Sequence, residues 1–125
     1  MEHRLLYIHT GIVEVLDAFP AGSVALEQVH SHVRFPRTAI LMAHARGAIV
    51  LAAAQRATPV FGYAATRIKK TLTGNGRAPK EQIQQAIMIE LGLDRLPEPN
   101  DVADACAVAL CHFYIQRKRQ GLAMD

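Results

Sequence analysis

A shortage of strands among many helices is the feature that most limits what this chain can fold into. Only two strand patterns stand out, one over Ser23–Val29 and one over Thr58–Ala64, where Pro59 leads into an apolar run. An isolated two-stranded sheet is at best marginally stable in water. We therefore expect the strands that would widen this sheet to come from residues upstream of this stretch or from another chain.

Helical spacing of apolar residues accounts for most of the remaining chain. The predicted helices cover about Arg4–Phe19, Arg37–Arg56, Ala65–Leu72, Pro79–Leu91 and Asn100–Lys118. Pro79 suits a first helical turn, and Asn100 or Asp101 is the predicted cap of the last helix. The predicted inner stripe of that helix consists of Ala103, Cys106, Ala107, Leu110 and Phe113. The pattern as a whole predicts an α/β chain with few strands.

Composition predicts a single globular domain over residues 1–125, with 50% apolar and 20% charged residues. Cys106 and Cys111 cannot form a disulfide framework, because five-residue spacing on a helix points them roughly 140° apart. A reducing, cytoplasmic location follows from this cysteine use. The N-terminus lacks the pattern of a signal peptide.

The most apolar stretch, Ala39–Ala54, is interrupted by His44 and Arg46. It falls short of the roughly 20 apolar residues that cross a bilayer. We therefore predict a buried helix here and no membrane partner.

Three acidic residues stand out because small or apolar residues surround them. Glu27 lies within a strand pattern. It either faces water at the strand end or is partly buried, in which case its carboxylate needs a nearby cation, a metal or a raised pKa. Asp101 and Asp104 share one face of a helix start, where acids commonly offset the helix dipole without any chemistry. Converging carboxylates from a strand and a helix would also suit a divalent cation.

A basic run surrounds the Gly74-Asn75-Gly76 loop. It comprises Arg67, Lys69, Lys70, Arg77 and Lys80, with no acid between Gly62 and Lys80, although the whole chain carries a net charge of only +3. A solvated helix face explains ordinary charge runs but not the absence of counter-charges. The pattern therefore favours contact with phosphates over a simple solvated face. The loop itself is not a Walker motif.

Four stretches in a fixed order resemble one known family. They are Val24-Ala25-Leu26-Glu27-Gln28-Val29, Ala45-Arg46-Gly47, the segment from Tyr63-Ala64-Ala65 through Lys69 to Gly74-x-Gly76-x-Ala78-x-Lys80-x-Gln82, and Asp101-x-x-Asp104-Ala105 through His112. Together they resemble the RuvC-type Holliday-junction resolvases, crossover-junction endonucleases of the ribonuclease-H-like superfamily. The resemblance extends over nearly the whole chain.

The resemblance implies a ribonuclease-H-like mixed sheet of five strands flanked by helices, of which this chain holds few. It also implies a homodimer that resolves four-way DNA junctions in recombination and repair by Mg²⁺-dependent paired nicking, with Mn²⁺ as an alternative ion. A branch-migration motor is a further implied partner.

Residue roles follow from the same resemblance. The implied metal ligands are Glu27, Asp101 and Asp104, and the implied catalytic set adds Lys69 and Lys80. The implied DNA contacts are His30, Arg67, Lys69, Lys70, Arg77 and Lys80. His30 stands where the family has an aromatic residue thought to wedge against junction bases.

One departure from the family affects catalysis. The family's first strand carries an aspartate in an Ile-Asp-Pro-Gly-type motif, and no such motif precedes the first helix here. Roughly three strands are absent with it. Three hypotheses remain: a junction nuclease, a junction-binding protein that does not cut, and an assembly whose exposed sheet edge another chain covers.

Overall fold

A computed structural model describes residues 1–29 and 36–124 of the chain, with side chains described as far as residue 121. The elements are α1 (Glu2–Ala18), β1 (Val24–Glu27), α2 (Pro36–Gln55), β2 (Val60–Tyr63), α3 (Ala65–Thr73), α4 (Lys80–Leu91) and α5 (Asn100–Met124). All five predicted helices and both predicted strands are confirmed. The last helix is longer than predicted because no proline follows Lys118, and Gln120, Leu122 and Ala123 favour a helix despite Gly121.

The two strands pair in parallel. The amide of Val24 donates to the carbonyl of Pro59 at 2.9 Å, and the amide of Gln28 donates to the carbonyl of Tyr63 at 2.9 Å. Both bonds join residues with the same separation along the chain, as parallel register requires. The described residues thus form a two-stranded sheet, and the predicted shortage of strands is confirmed.

The chain divides into two compact units. One comprises Met1–Val24 and Val29–Phe61, and the other comprises Ala25–Gln28 and Gly62–Asp125. The first unit therefore contains α1 and α2, and the second contains α3, α4 and α5. The prediction of a single domain over residues 1–125 stays a prediction.

In the first unit, α1 packs against α2. The guanidinium of Arg56 donates to the carboxylate of Asp17 at 2.6 Å, and a 2.6 Å hydrogen bond joins the side chains of His9 and Gln55. Both polar contacts are exposed, so they contribute little to stability. Of these two helices, α2 buries Ala52 and Ala53, and α1 has no buried residue.

The prediction of a buried α2 is wrong. Only Ala52 and Ala53 of this helix are buried, whereas its large side chains Ile40, Met42 and Leu51 are more than half exposed. Hydrophobicity favours burial, but α1 covers only part of the circumference of α2 within its unit. The helix is also long and apolar enough to cross a membrane by length and composition alone, a test that core helices of soluble proteins also pass.

The second unit has its core between α3, α4 and α5. Its buried side chains are Tyr63, Ile68, Ala78, Ile87, Ala103, Ala107, Val108 and Cys111. The predicted stripe of α5 is partly wrong, because Phe113 is 55% exposed while Val108 and Cys111 are buried. Small residues at positions 103, 107 and 111 allow close helix packing, and this rotates the buried face away from Phe113.

Candidate active site

A cleft in the second unit brings four of the predicted catalytic residues together. Its volume is about 260 Å³, and its polar lining includes Glu27, Lys69, Lys80 and Asp104. These residues come from the end of β1, from α3, from the start of α4 and from the first turns of α5. The remaining lining residues are Ala65, Ile68, Ile83, Gln84, Ala103 and Ala107. A cleft lined by apolar residues together with two acids and two lysines fits a site for a charged substrate.

Glu27 is the last residue of β1, and its side chain is exposed. Of the two interpretations of this acid, the structure supports the one in which it faces water at the strand end. The pairing of Gln28 with Tyr63 fixes the backbone just after it. The strand thus ends with a carboxylate at the cleft.

The structure does not assemble all three predicted metal ligands in the cleft. Asp104 lines it, but Asp101 lies one turn earlier, exposed in the first turn of α5, and is not part of the lining. Within residues 1–29 and 36–124, no group of three or more histidine, cysteine or acidic side chains is arranged to hold a metal. The three-carboxylate ligand set stays a prediction.

The loop between α3 and α4 positions the two lysines of the cleft. Gly74 ends α3 with φ +82°, a left-handed conformation that glycine adopts without strain. A Cβ on Gly76 would lie 3.3 Å from the backbone oxygen of Thr66, so a side chain there would crowd the start of α3. The glycines therefore turn the chain back closely enough for Lys69 and Lys80 to share the cleft.

The predicted DNA contacts divide between two surfaces. Arg67 and Lys70 line a separate groove of about 660 Å³, which we call the basic groove. Its other lining residues are Thr71, Tyr114, Ile115, Lys118 and Arg119. Arg77 lines neither cavity, and its backbone amide donates to the side chain of Asn75 at 2.9 Å. His30 lies outside the described residues.

Sequence reasoning missed Lys118 and Arg119 as site residues. The signal was present, because Arg117, Lys118 and Arg119 form a basic run at the end of the last predicted helix. Basic residues at a helix C-terminus are also common without any ligand, because they offset the helix dipole. Only the packing of α5 on α3 places these cations opposite Arg67 and Lys70.

The basic groove influences its neighbours electrostatically. Burial, followed by the charge of Arg119, lowers the pKa of His112. Burial also raises the pKa of the Cys111 thiol, against the opposing effects of a hydrogen bond to Thr71 and the charge of Arg67. Burial, with a hydrogen bond to Glu90, raises the pKa of Tyr114 to about 12. Burial is thus the main cause of these shifts, and the charges of Arg119 and Arg67 are smaller causes for His112 and Cys111.

Comparison with known proteins confirms the family resemblance. Residues 1–112 match the family described as "Crossover junction endodeoxyribonuclease RuvC". The protein of that name from Rhodopirellula baltica is 54% identical over 115 residues, which cover 92% of this chain and 65% of the relative. The one from Moorella thermoacetica is 42% identical, with 94% of this chain and 70% of the relative covered.

Solved structures give the same result. The Thermus thermophilus RuvC structure matches with a TM-score of 0.83 at 32% identity, over 94% of this chain and 68% of the other. T. thermophilus RuvC in complex with Holliday junction substrate matches with a TM-score of 0.89 at 34% identity, over 94% and 70%. The fold thus has the ribonuclease-H-like architecture of these solved structures. The chain belongs to the RuvC crossover junction endodeoxyribonuclease family and spans about two thirds of the length of these relatives.

Proposed function

We propose that this chain supplies the catalytic surface of an endodeoxyribonuclease that resolves four-way DNA junctions in recombination and repair. The observation that supports this most is the convergence of Glu27, Asp104, Lys69 and Lys80 on one cleft. A family relative whose structure is described as a complex with Holliday junction substrate supports a junction as the DNA form.

The acids of the cleft fit a hard divalent cation. Mg²⁺ is commonly held by one or two carboxylates together with substrate phosphates, rather than by a complete protein cage. Glu27 and Asp104 would hold the ion, with Asp101 one turn away as the third proposed ligand. When bound, Mg²⁺ or Mn²⁺ polarises the phosphate and lowers the pKa of an attacking water.

The lysines have a role that does not depend on the acids. Lys69 and Lys80 bind a DNA phosphate at the cleft and stabilise the negative charge that develops on it during hydrolysis. Apolar residues such as Ile68 and Ile83 line the same cleft.

Assembly and partners belong to the same proposal. Paired nicks on two opposing strands need two clefts, and a homodimer provides them. A branch-migration motor complex is a further proposed partner, on the family resemblance. The two free cysteines of the described residues, Cys106 and Cys111, fit the proposed cytoplasmic location.

One observation favours a second function, junction binding without cleavage. The cleft holds two carboxylates, and the described residues contain no group of three metal ligands. A chain with this cleft would keep its phosphate-binding lysines and still bind DNA. Cleavage would then need a further carboxylate.

A gel assay distinguishes the two functions. The purified chain is incubated with a synthetic four-way junction and Mg²⁺, and one gel resolves binding and paired nicking. We expect symmetric nicks that Asp104→Asn abolishes while junction binding is kept. Asp94→Asn removes the same charge from an exposed turn outside the cleft lining and serves as the matched control.

Electron paramagnetic resonance of bound Mn²⁺ gives a readout that does not depend on cleavage. We expect Asp104→Asn to weaken Mn²⁺ binding and Asp94→Asn to leave it unchanged. Junction binding without nicks would support the second function. Nicking unchanged by Asp104→Asn would remove this residue from the mechanism.

A further inference from the structure

The basic groove concentrates positive charge on one surface of the second unit. Four of its seven lining residues are cationic, namely Arg67, Lys70, Lys118 and Arg119, and all four are exposed. They come from α3 and from the C-terminal half of α5. The other lining residues, Thr71, Tyr114 and Ile115, are half-buried. The groove therefore combines exposed cations with half-buried side chains.

This charge is not offset by recorded ion pairs. Among the described residues, the structure records ion pairs of Asp17 with Arg56 and of the N-terminus with Glu2, and neither involves the groove. Glu90 is an acidic residue that affects the groove lining, because it contributes to the raised pKa of Tyr114. The four cations thus leave the groove strongly positive, which fits an anionic partner.

The basic groove and the cleft lie on different sides of α3. At about 100° per residue, Arg67 and Lys70 lie roughly 60° apart on the helix, whereas Lys69 lies roughly 160° from Arg67. Along α5, Lys118 follows Asp104 by fourteen positions, and the helical rise of 1.5 Å separates them by roughly 21 Å. A phosphate in the cleft therefore cannot also occupy the groove.

We propose that the basic groove binds the sugar–phosphate backbone of DNA at a phosphate other than the one in the cleft. Arg67, Lys70 and Lys118 contact phosphates, and Tyr114 and Ile115 provide an apolar surface for the deoxyribose. This inference rests on the proposed function, because it takes DNA as the partner.

The basic groove shares α3 with the cleft, and this favours DNA over an acidic protein segment as the occupant of the groove. The same short helix supplies Lys69 to the cleft and Lys70 to the groove. A long polyanion that passes the cleft can therefore reach the groove without any rearrangement of α3. Contacts to successive phosphates carry no sequence information, so they add affinity for any DNA arm.

Fluorescence anisotropy with a labelled four-way junction tests this inference. Binding is measured in EDTA at several salt concentrations for the full chain and for Arg67→Gln/Lys118→Gln. We expect the variant to bind about tenfold more weakly at moderate salt. The slope of log K against log salt should fall by about 2, because each lost phosphate contact contributes about 0.9.

Two further variants separate charge from folding. Arg67→Lys/Lys118→Arg keeps the charges and should keep the affinity and the slope. Arg37→Gln/Arg95→Gln removes two exposed cations outside the groove lining and should change the slope much less. Circular dichroism melts show whether each variant is folded. A slope that falls equally in the groove variant and in the control would overturn the inference.

The other outcomes distinguish this inference from the proposed function. Loss of poly-glutamate binding in the groove variant, with junction binding unchanged, would identify an acidic protein segment as the occupant. This result would overturn the inference that the groove binds DNA. Mg²⁺-dependent nicking is followed separately in the same variants. Reduced junction binding in the groove variant, without nicking by any protein, would support the inference and contradict the nuclease function. Nicking by the unmodified chain, together with a salt slope that is unchanged in the groove variant, would support the nuclease function and contradict the inference.

Discussion

The hydroxyl of Tyr63 lies 2.5 Å from Nδ1 of His112, and this contact joins the end of β2 to the middle of α5. The two rings are tilted at 53° with their centroids 5.6 Å apart. The guanidinium carbon of Arg67 lies 5.5 Å from the centre of the Tyr63 ring, within range of a cation–π contact. Tyr63 thus links the strand, the start of α3 and α5 on the side of the basic groove.

Removing the Tyr63 hydroxyl should lower stability. Tyr63→Phe keeps the buried ring but loses the hydrogen bond to His112, which should cost about 1 kcal/mol of unfolding free energy. Urea denaturation measures this change. Tyr7→Phe is the matched control, because Tyr7 is 83% exposed and should tolerate the same change without loss. Equal effects of the two substitutions would show that the contact does not stabilise the fold.

His112 should make stability depend on pH. Burial, and then the charge of Arg119, lowers the pKa of His112 below its usual value of 6.5. The unfolded chain therefore takes up this proton more readily than the folded chain, so stability falls as pH drops below about 6.5 through the folded pKa. Unfolding free energies between about pH 5 and pH 7.5 should fall less steeply in His112→Asn. The same pH slope in both proteins would contradict this.

Lys69→Ala tests phosphate contact at the cleft itself. Lys69 is half-buried and lines the cleft. Its removal should weaken junction cleavage and lower the salt slope of binding by about 1. Arg95→Ala removes an exposed cation elsewhere and should leave both nearly unchanged. An unaltered slope in Lys69→Ala would rule out a phosphate contact at this residue.

Two isoleucines on α4 test the core of the second unit. Ile87 is fully buried, whereas Ile89 on the same helix is 74% exposed. Ile87→Ala should cost about 2–5 kcal/mol of unfolding free energy because it leaves a cavity. Ile89→Ala should change stability by less than about 0.5 kcal/mol. Similar losses in both variants, measured by urea denaturation, would place the core elsewhere.

The two cysteines should react at different rates. Cys111 is buried, and burial raises its pKa, while Cys106 is half-buried. Because the thiolate is the reactive form, iodoacetamide should label Cys106 first in the folded chain. Mass spectrometry of peptides identifies the labelled residue. Labelling of Cys111 as fast as Cys106 in the folded chain would contradict the buried position of its thiol.

The sequence predicted the elements well because their signals are local. Pro79 precedes α4 as its cap, and Gly74 and Gly92 end α3 and α4 in left-handed conformations. The burial of α2 could not be predicted this way, because hydrophobicity tells which residues favour burial and not what covers them. The exposure of Phe113 was missed for a related reason, since helical periodicity does not fix which way a helix is rotated against its neighbours.

The sequence predicted which residues form the candidate site but not how they are arranged. Glu27, Asp104, Lys69 and Lys80 were all identified from the residues and the resemblance, and one cleft contains them. The sequence did not predict that the basic run divides between two surfaces, because residues adjacent in sequence on a helix point in different directions. Lys70 follows Lys69 directly and still belongs to the other surface.

The short helix α3 carries side chains of both the cleft and the basic groove. Lys69 lies on the cleft side, and Arg67 lies on the side of the basic groove. Any rotation of this helix about its own axis moves these side chains in opposite directions. An anion that holds Arg67 in place would therefore also limit how far Lys69 can move within the cleft. Occupancy of the groove would thereby restrain the geometry of the cleft.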